Sequence, residues 1–308
     1  MQKEAFEIII IDNASFDKSK PLVKNEFPDV NFIQSKTNLG FACANNVAYL
    51  HASGETLLFL NPDTEIVQNA IQVMMSALYS DETIGIVGCR LLNTDKSLQT
   101  SCVQPFPTIF NQIFDAEILK KYPLTSNERR IRILIRNSAG PEDVEVISGA
   151  CLMIKRNVFE KVGRFSEDYF MYSEDIDLCY KVKSSGYRIC YTGKATIIHH
   201  GGKSSSGSGQ SGFSIVLMRQ SIYTFLKKTR GPLYAFTYWL AMLISATIRL
   251  LCLLCSILPQ VTRRRSMVSI KNSLYKWYKI GRWCLGFEQW VRRLHISQAE
   301  AFGSTTCR

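Results

Sequence analysis

Histidine is scarce in this chain, four in 308 residues, and beyond Pro259 the only acids are Glu288 and Glu300. Met1–Glu7 is polar, so a secretory signal is not expected here. Ten cysteines stand at positions 43, 89, 102, 151, 179, 190, 252, 255, 284 and 307, scattered too widely for a disulfide framework. Their spacing fits a reducing, cytosolic compartment. The only C-x-x-C pair, Cys252 and Cys255, lies in an apolar run with no histidine or acid beside it, which predicts packing rather than metal binding. No internal repeat is present. No Gly-rich, basic phosphate loop follows the first apolar run, which weighs against a nucleotidyltransferase.

What the chain does contain is enough for a core. Hydrophobic residues make up 46% and charged residues 20%, which excludes global disorder and predicts one large domain or one domain with an appendage. The net charge of +11 is unevenly placed: ten basic residues follow Pro259, from Arg263, Arg264 and Arg265 to Arg308. This tail follows the longest apolar stretch, Leu233–Leu258, in which Arg249 is the only charge. The stretch is long enough to cross a membrane. Cations flank it on both sides, however (Lys227, Lys228 and Arg230 before; Arg263–Arg265 after), whereas an orientation signal is one-sided. A helix or hairpin lying on an anionic membrane surface fits equally well, and a buried core helix is the plainer alternative. Nucleic acid is not an expected partner, because the cations sit beside apolar sequence and not on a reading module.

The first two-thirds alternates strand and helix patterns. Phe6–Ser15 begins as a continuous apolar run ended by turn residues, the pattern of a strand buried on both faces. A helix is predicted over Lys18–Phe27, a strand at Val30–Ser35, a Gly turn leading into a helix to about Ser53, a strand at Glu55–Asp63, a helix over Asn69–Ser80 and a strand at Ile84–Leu92. This rhythm predicts an α/β fold with a parallel sheet covered by helices. Ligands bind such sheets beyond the carboxyl ends of the strands, where Asp12 and Asp63 fall. Residues 101–143, with Pro105, Pro107 and Pro123 and the cluster Arg129, Arg130, Arg132 and Arg136, read as an irregular excursion. Lys203–Gly212 is rich in Gly and Ser and reads as mobile.

Two stretches could carry chemistry. In "YSEDIDLCYKV", Glu174, Asp175 and Asp177 precede an apolar-periodic helix. They read either as first-turn acids behind an N-cap at Ser173 or as a general base with supporting groups. In "IIHHGGKS", His199 and His200 end a strand and point to opposite faces, so at most one faces a site. Neutral imidazole is a good divalent-metal ligand, and a solvated turn histidine is the alternative.

Five segments, "IIIIDNASFD", "NLGFACANN", "LFLNPDTEI", "ISGACLMIKRNVFEKVGRFSEDYFMYSEDIDLCYKVKSSGYR" and "IIHHGGKS", occur in an order and spacing that resembles family 2 glycosyltransferases, closest to their rhamnosyltransferase-like branch. The likeness spans about residues 6–230. It implies a GT-A fold with a mixed, mainly parallel sheet over residues 1–230, followed at 231–308 by a membrane-associating helical region with a basic tail. It also implies inverting, metal-dependent transfer from a nucleotide-sugar donor, in cell-surface polysaccharide synthesis at the cytoplasmic face of the membrane. The acceptor is expected to be a saccharide or lipid-linked saccharide. By position, Asp12 matches an acid that contacts the nucleotide base, and Asn38, Gly40 and Asn45 or Asn46 match the loop and helix that approach the nucleotide. Asn61, Pro62 and Asp63 stand at the D-x-D position, with Asp63 as the acid that contacts Mg2+ or Mn2+. Gly149 and Ala150 match small residues lining the donor-sugar pocket. Asp175, beside Glu174, matches the catalytic base, and His199 matches a late histidine on the metal side. Members of the family open with a further strand and helix ahead of the equivalent of Phe6, whereas this sequence starts at Met1. A sheet without that strand is expected to expose unpaired backbone and apolar surface. The alternative is therefore an inactive remnant that binds only membrane or a partner.

Overall fold

The computed structural model describes residues 6–114, 126–201, 212–257, 264–291 and 294. The chain divides into two units, one built from the residues up to Phe106 with Arg130–His200, the other from Pro107–Arg129 with Gly201–Ile296.

In the first unit, strand β1 (Ile9–Asp12) runs parallel to β2 (Asn31–Gln34), with helix α1 (Ser19–Glu26) between them in sequence. β1 departs from the expected double burial. Ile9–Ile11 are half-buried, and Ile8 and Phe6 are exposed. The reason lies in the pairing: β2 covers one edge of β1, and among the described residues no strand covers the other. Helix α2 (Gly40–Tyr49) opens at Gly40, whose φ of +73° suits a residue without a Cβ.

The main sheet contains β3 (Thr56–Leu60), β4 (Thr64–Ile66), β5 (Ile84–Leu92), β7 (Glu142–Asp143), β9 (Cys151–Lys155) and β10 (Arg188–His199), in the order β3-β9-β5-β10-β4, with β7 also on β10. β3, β5 and β10 run one way. β9 is inserted antiparallel between β3 and β5, and β4 and β7 run antiparallel to β10. The short pair β6 (Val103–Gln104) and β8 (Val146–Ile147) forms a separate ribbon. Helices α3 (Ala70–Leu78), α6 (Arg156–Lys161) and α7 (Glu174–Ser184) belong to the same unit. The core joins Ile84, Ile86 and Val87 of β5 to Leu152 and Ile154 of β9 and Leu178 of α7. Tyr49, Phe59, Phe159 and Phe165 add an aromatic cluster with centroids 4.8–5.5 Å apart, within the range of favourable edge and tilted pairs.

Within 101–143 the described residues hold more regular structure than expected. After α4 (Ile109–Ile113), helix α5 (Ser126–Asn137) carries the basic cluster. Ile131, Leu134 and Ile135 recur at helical spacing, and Leu134 and Ile135 are buried, while Arg129, Arg130 and Arg136 are exposed. The arginine density hid that apolar stripe.

The second unit holds α8 (Gly212–Arg230), α9 (Pro232–Ile257) and α10 (Arg264–Cys284). Gly231, at φ +88°, and Pro232 separate α8 from α9, a glycine stop followed by a proline start. Most of the segment Lys203–Gly212 lies outside the described residues; Gly212 begins α8. α9 has two faces. Ala235, Tyr238, Met242, Ser245 and Ala246 are buried, while Leu233, Phe236, Leu240, Ile244, Ile248, Leu251 and Leu254 are exposed. The Arg249 guanidinium lies 4.5 Å from the Trp277 ring centre and donates to the Ile113 carbonyl at 2.9 Å. Cys252 and Cys255, expected to pack, are exposed on α9. The helix turns them outward with Leu251 and Leu254.

Gly88 of β5 is closely packed. A Cβ there would lie 2.3 Å from Cγ2 of the buried Ile147. Gly88→Ala is expected to cost about 1–3 kcal/mol. It should be read as a lower urea midpoint at unchanged slope, with part of the loss restored when Ile147→Ala is added.

Candidate active site

The segment Asn61-Pro62-Asp63 turns the chain from β3 into β4. The Asn61 N–H donates to the Ala150 carbonyl at 3.0 Å, and the Thr64 hydroxyl donates back to the Asn61 carbonyl at 2.6 Å. β4 then pairs with the last residues of β10, Thr64 opposite His199, and the His200 N–H donates to the Asp63 carbonyl at 2.8 Å. This pairing sets Asp63 Oδ1 and His199 Nε2 3.3 Å apart, both side chains mostly buried at 18% and 16% exposure. Asn61 Nδ2 lies 3.5 Å from the same Nε2. His200, one residue on, meets Thr94 Oγ1 at 3.1 Å and Glu65 at 3.6 Å instead.

How β10 reaches β4 depends on an irregularity. Thr192 pairs with Cys89 and Thr196 with Arg90, so Gly193, Lys194 and Ala195 have no partners on β5. Such a bulge bends a strand and re-aims the residues beyond it. Gly193 is required there, since a Cβ would lie 2.4 Å from the Ser138 carbonyl oxygen.

A second group gathers where β8 turns into β9. The Gly149 N–H donates to Asp175 Oδ2 at 2.9 Å, and the Ile176 N–H donates to Oδ1 at 2.8 Å. A Cβ on Gly149 would lie 3.4 Å from Asp175 Cβ and 3.6 Å from the Phe41 ring, so the Gly149 backbone, Asp175 and Phe41 are close neighbours here. Ser173 precedes α7 without capping it: its side chain makes no cap bond, and its φ of +67° is left-handed, as is that of Tyr172 at +71°. Two successive left-handed non-glycine residues are strained, and strain of this kind clusters at functional sites. The three acids of the first turn have separate surroundings. Asp177 is buried and accepts from the hydroxyls of Ser166 and Tyr169. Burial raises the Asp175 carboxyl above its usual range, against the pull of the two N–H donors. Glu174 is buried, its Oε2 has no hydrogen-bond partner, and burial together with the Asp175 charge pushes its carboxyl up to about 8.

A third group lies at the end of β1. Asp12 is buried and accepts at Oδ1 from the Ser15 N–H and hydroxyl and at Oδ2 from Gln34 Nε2. Asn13 bolts this end to the turn before α2. Its amide donates to Asn38 Oδ1 at 3.0 Å and to the Gly40 carbonyl at 3.1 Å, and its Oδ1 accepts from the Leu39 N–H at 2.7 Å. Asn45 donates to the Phe41 carbonyl within its own helix. Asn46 is buried, with its amide on the Phe165 carbonyl and Glu167 and its Oδ1 on the Phe165 N–H, so both its ends are spent holding the 165–167 segment. Hydrogen bonds thus link Asn61 to Ala150, Gly149 to Asp175, and Asn13 to Asn38, Leu39 and Gly40. Sequence reasoning missed Asn13, which had only a turn signal, and Gln99, whose Oε1 lies 2.8 Å from His199 Nδ1 and which carried no signal at all.

The buried Glu174 has a consequence for stability. Between its ordinary value of 4.5 and about 8 the folded chain holds a proton that the unfolded chain has released. The folded state binds more protons in that window, so this group makes stability fall as pH rises through it and level off above. Glu174→Gln is expected to flatten the fall, measured by urea unfolding at a series of pH values.

The family described as Glycosyl transferase family 2 matches residues 1–163. An N-acetylglucosaminyl-diphospho-decaprenol L-rhamnosyltransferase of Mycobacterium tuberculosis is 27% identical over 233 residues, 71% of this chain and 74% of its own length. The rhamnosyltransferase WbbL of Escherichia coli K12 is 25% identical over 205 residues, 64% of this chain and 74% of its own. Among solved structures, the mannosyltransferase PcManGT of Pyrobaculum calidifontis, in complex with GDP-Man and Mn2+, aligns with a TM-score of 0.47 and 15% identity over 98% of this chain and 67% of that one. The chain therefore belongs to glycosyl transferase family 2: it is a GT-A glycosyltransferase of rhamnosyltransferase-like type.

Proposed function

We propose that this enzyme moves a sugar, with inversion, from a nucleotide-sugar donor to a lipid-linked saccharide at the cytoplasmic face of the membrane, in cell-surface glycan synthesis. The observation that carries the reading is Asp175, a half-buried carboxylate held by two backbone N–H groups, one of them that of Gly149. An acceptor hydroxyl is a poor nucleophile. Asp175 takes its proton as the oxygen attacks the anomeric carbon opposite the leaving diphosphate, and a carboxyl raised by burial is the stronger base for that task. Glu174 supports it from behind. Asp12, Asn38, Gly40, Asn45 and Asn46 shape the nucleotide side, and Gly149 and Ala150 the sugar side. Because Asp12 and Asn46 are already bonded within the chain, they act by holding the walls. Relatives named as rhamnosyltransferases, one naming a diphospho-decaprenol acceptor, support rhamnose as the sugar and a polyprenyl diphosphate as the carrier.

The donor set fits a divalent ion. Asp63 and His199 offer one oxygen and one nitrogen 3.3 Å apart, close to the roughly 3 Å between neighbouring ligands of an octahedral ion bonded at about 2.1 Å. Asn61 stands ready to bond a water or ribose hydroxyl. Mg2+ or Mn2+ held there supplies positive charge for the departing diphosphate.

The exposed stripe of α9 supports the membrane surface as partner. The helix is long and apolar enough to cross a bilayer. Yet its neighbour α10 carries Lys271, Lys276, Lys279 and Arg282, and Arg249 of α9 is engaged within the unit. Taking these charges through hydrocarbon is costly, so α9 lies along the surface with Phe236, Ile244 and Leu251 toward the acyl chains.

Two measurements test the reading. Asp175→Asn is expected to lower transfer about 10²–10⁴-fold while donor binding persists; undiminished transfer in the folded variant defeats the assignment. Ile244→Asp with Leu251→Asp is expected to weaken flotation with anionic vesicles by at least roughly tenfold, since each buried aliphatic side chain is worth about 1.5–3 kcal/mol.

A further inference from the structure

The turn after β5 carries a chain of hydrogen bonds whose direction is fixed at its far end. Asp95 is exposed, and its ionised carboxylate can only accept. Ser97 donates its hydroxyl proton to Asp95 Oδ1 at 2.5 Å and its N–H to the same oxygen at 2.9 Å. With its proton committed, Ser97 Oγ must accept from Asn93, whose Nδ2 lies 2.9 Å away. That orients the Asn93 amide with Oδ1 outward, where it accepts from Gln99 Nε2 at 3.1 Å. Gln99 is thereby left presenting Oε1, not its amino group, to His199 Nδ1 at 2.8 Å. Only a protonated Nδ1 satisfies that contact. Backbone bonds hold the turn in place: Asn93 N–H to Ser97 O at 2.8 Å, Lys96 N–H to Asn93 O at 2.8 Å, and Gln99 N–H to Leu91 O at 2.9 Å.

A neutral imidazole has one N–H, and here two acceptors compete for it. Gln99 Oε1 faces Nδ1 at 2.8 Å; Asp63 Oδ1 faces Nε2 at 3.3 Å. If Asp63 won, His199 would donate to it, and the oxygen and nitrogen would satisfy each other. If Gln99 wins, Nε2 keeps its lone pair on the side where Asp63 keeps its oxygen. The Asn61 amide, 3.5 Å from Nε2, is a donor and favours the second outcome.

We propose that Gln99 is a positioning residue: with Asn93, Ser97 and Asp95 it forms a relay that holds neutral His199 as the Nδ1–H tautomer and leaves the Nε2 lone pair beside Asp63. The consequence for a divalent ion rests on the metal reading above; the tautomer does not. Partners that orient a ligating histidine in this way are typically worth about 10–100-fold in metal affinity.

The test uses the full chain without metal, 15N-labelled at histidine, at a pH well above the ordinary imidazole range. The His199 signals are assigned by their loss in His199→Asn. The wild type is expected to show the Nδ1–H pattern. Gln99→Met, similar in length but without the acceptor, is expected to shift His199 toward Nε2–H, and Gln99→Glu to restore Nδ1–H. Asp95→Ala, on an exposed turn where folding is not at stake, frees the Ser97 proton and is expected to give a mixture of tautomers. An Nε2–H wild type, or an unchanged Nδ1–H population in both Gln99→Met and Asp95→Ala, overturns the relay. Mn2+ binding in the presence of a nucleoside diphosphate, followed by electron paramagnetic resonance, should weaken about 10–100-fold in Gln99→Met. A wild type that shows Nδ1–H but binds no Mn2+ counts against the metal reading and leaves the relay standing.

Discussion

The antiparallel pairing of β4 with the end of β10 is the contact on which the site depends. Asp63 and His199 are far apart in sequence, and neither is well placed by its own segment. Three paired residues, Thr64 to Ile66 against Ile197 to His199, put them side by side. Everything upstream serves that contact. Pro62 ends β3 and turns the chain, and the bulge at Gly193–Ala195 lets β10 leave its register with β5 and continue along β4. Gly193 allows the close passage over Ser138. β10 is also the inner strand with β5 on one side and β4 and β7 on the other, so the same twelve residues tie the core to the site.

The acids at the start of α7 show how one local sequence is divided into roles by its surroundings. A helix N-terminus favours negative charge, yet of the three acids only Asp175 receives backbone N–H donors on both oxygens. Asp177, two residues on, is spent on Ser166 and Tyr169. Glu174 is buried with one oxygen unbonded, a costly arrangement for a polar group taken out of water. The two left-handed residues before the helix belong to the same corner, and together they mark where stability is given up.

Much of the fold was legible in the sequence because it depends on local signals. Apolar runs ended by Asn, Asp and Gly announced β1, β3 and β5, and the Gly turn announced α2. The misreadings have specific causes. Ile8–Ile11 read as an interior strand because apolarity reports what a segment can bury, not what lies on its far edge. Helix α5 was masked by four arginines, although Ile131, Leu134 and Ile135 kept helical spacing. Ser173 has the chemistry of a cap, but its left-handed backbone turns the side chain away from that role. Asp12 and Asn46 show the same limit at the site: an acid at a strand end and an amide on a helix look free in sequence, and both are fully bonded in the fold.

The sequence by itself determined most of the elements, the order of the five segments and the residue types available for chemistry: Asp175 at the start of a helix, Asp63 after a strand, His199 just before a glycine pair. Each of those follows from propensity, turn chemistry and periodicity over a few residues. Only the tertiary structure decided which of them meet and in what state. His199 acquires its partner from a strand pairing and its tautomer from a turn a hundred residues away, and Asp175 acquires its donors from the β8–β9 corner. Such contacts bring together residues distant in the chain, and hydrogen-bond direction and burial are properties of that assembled neighbourhood, not of any segment within it.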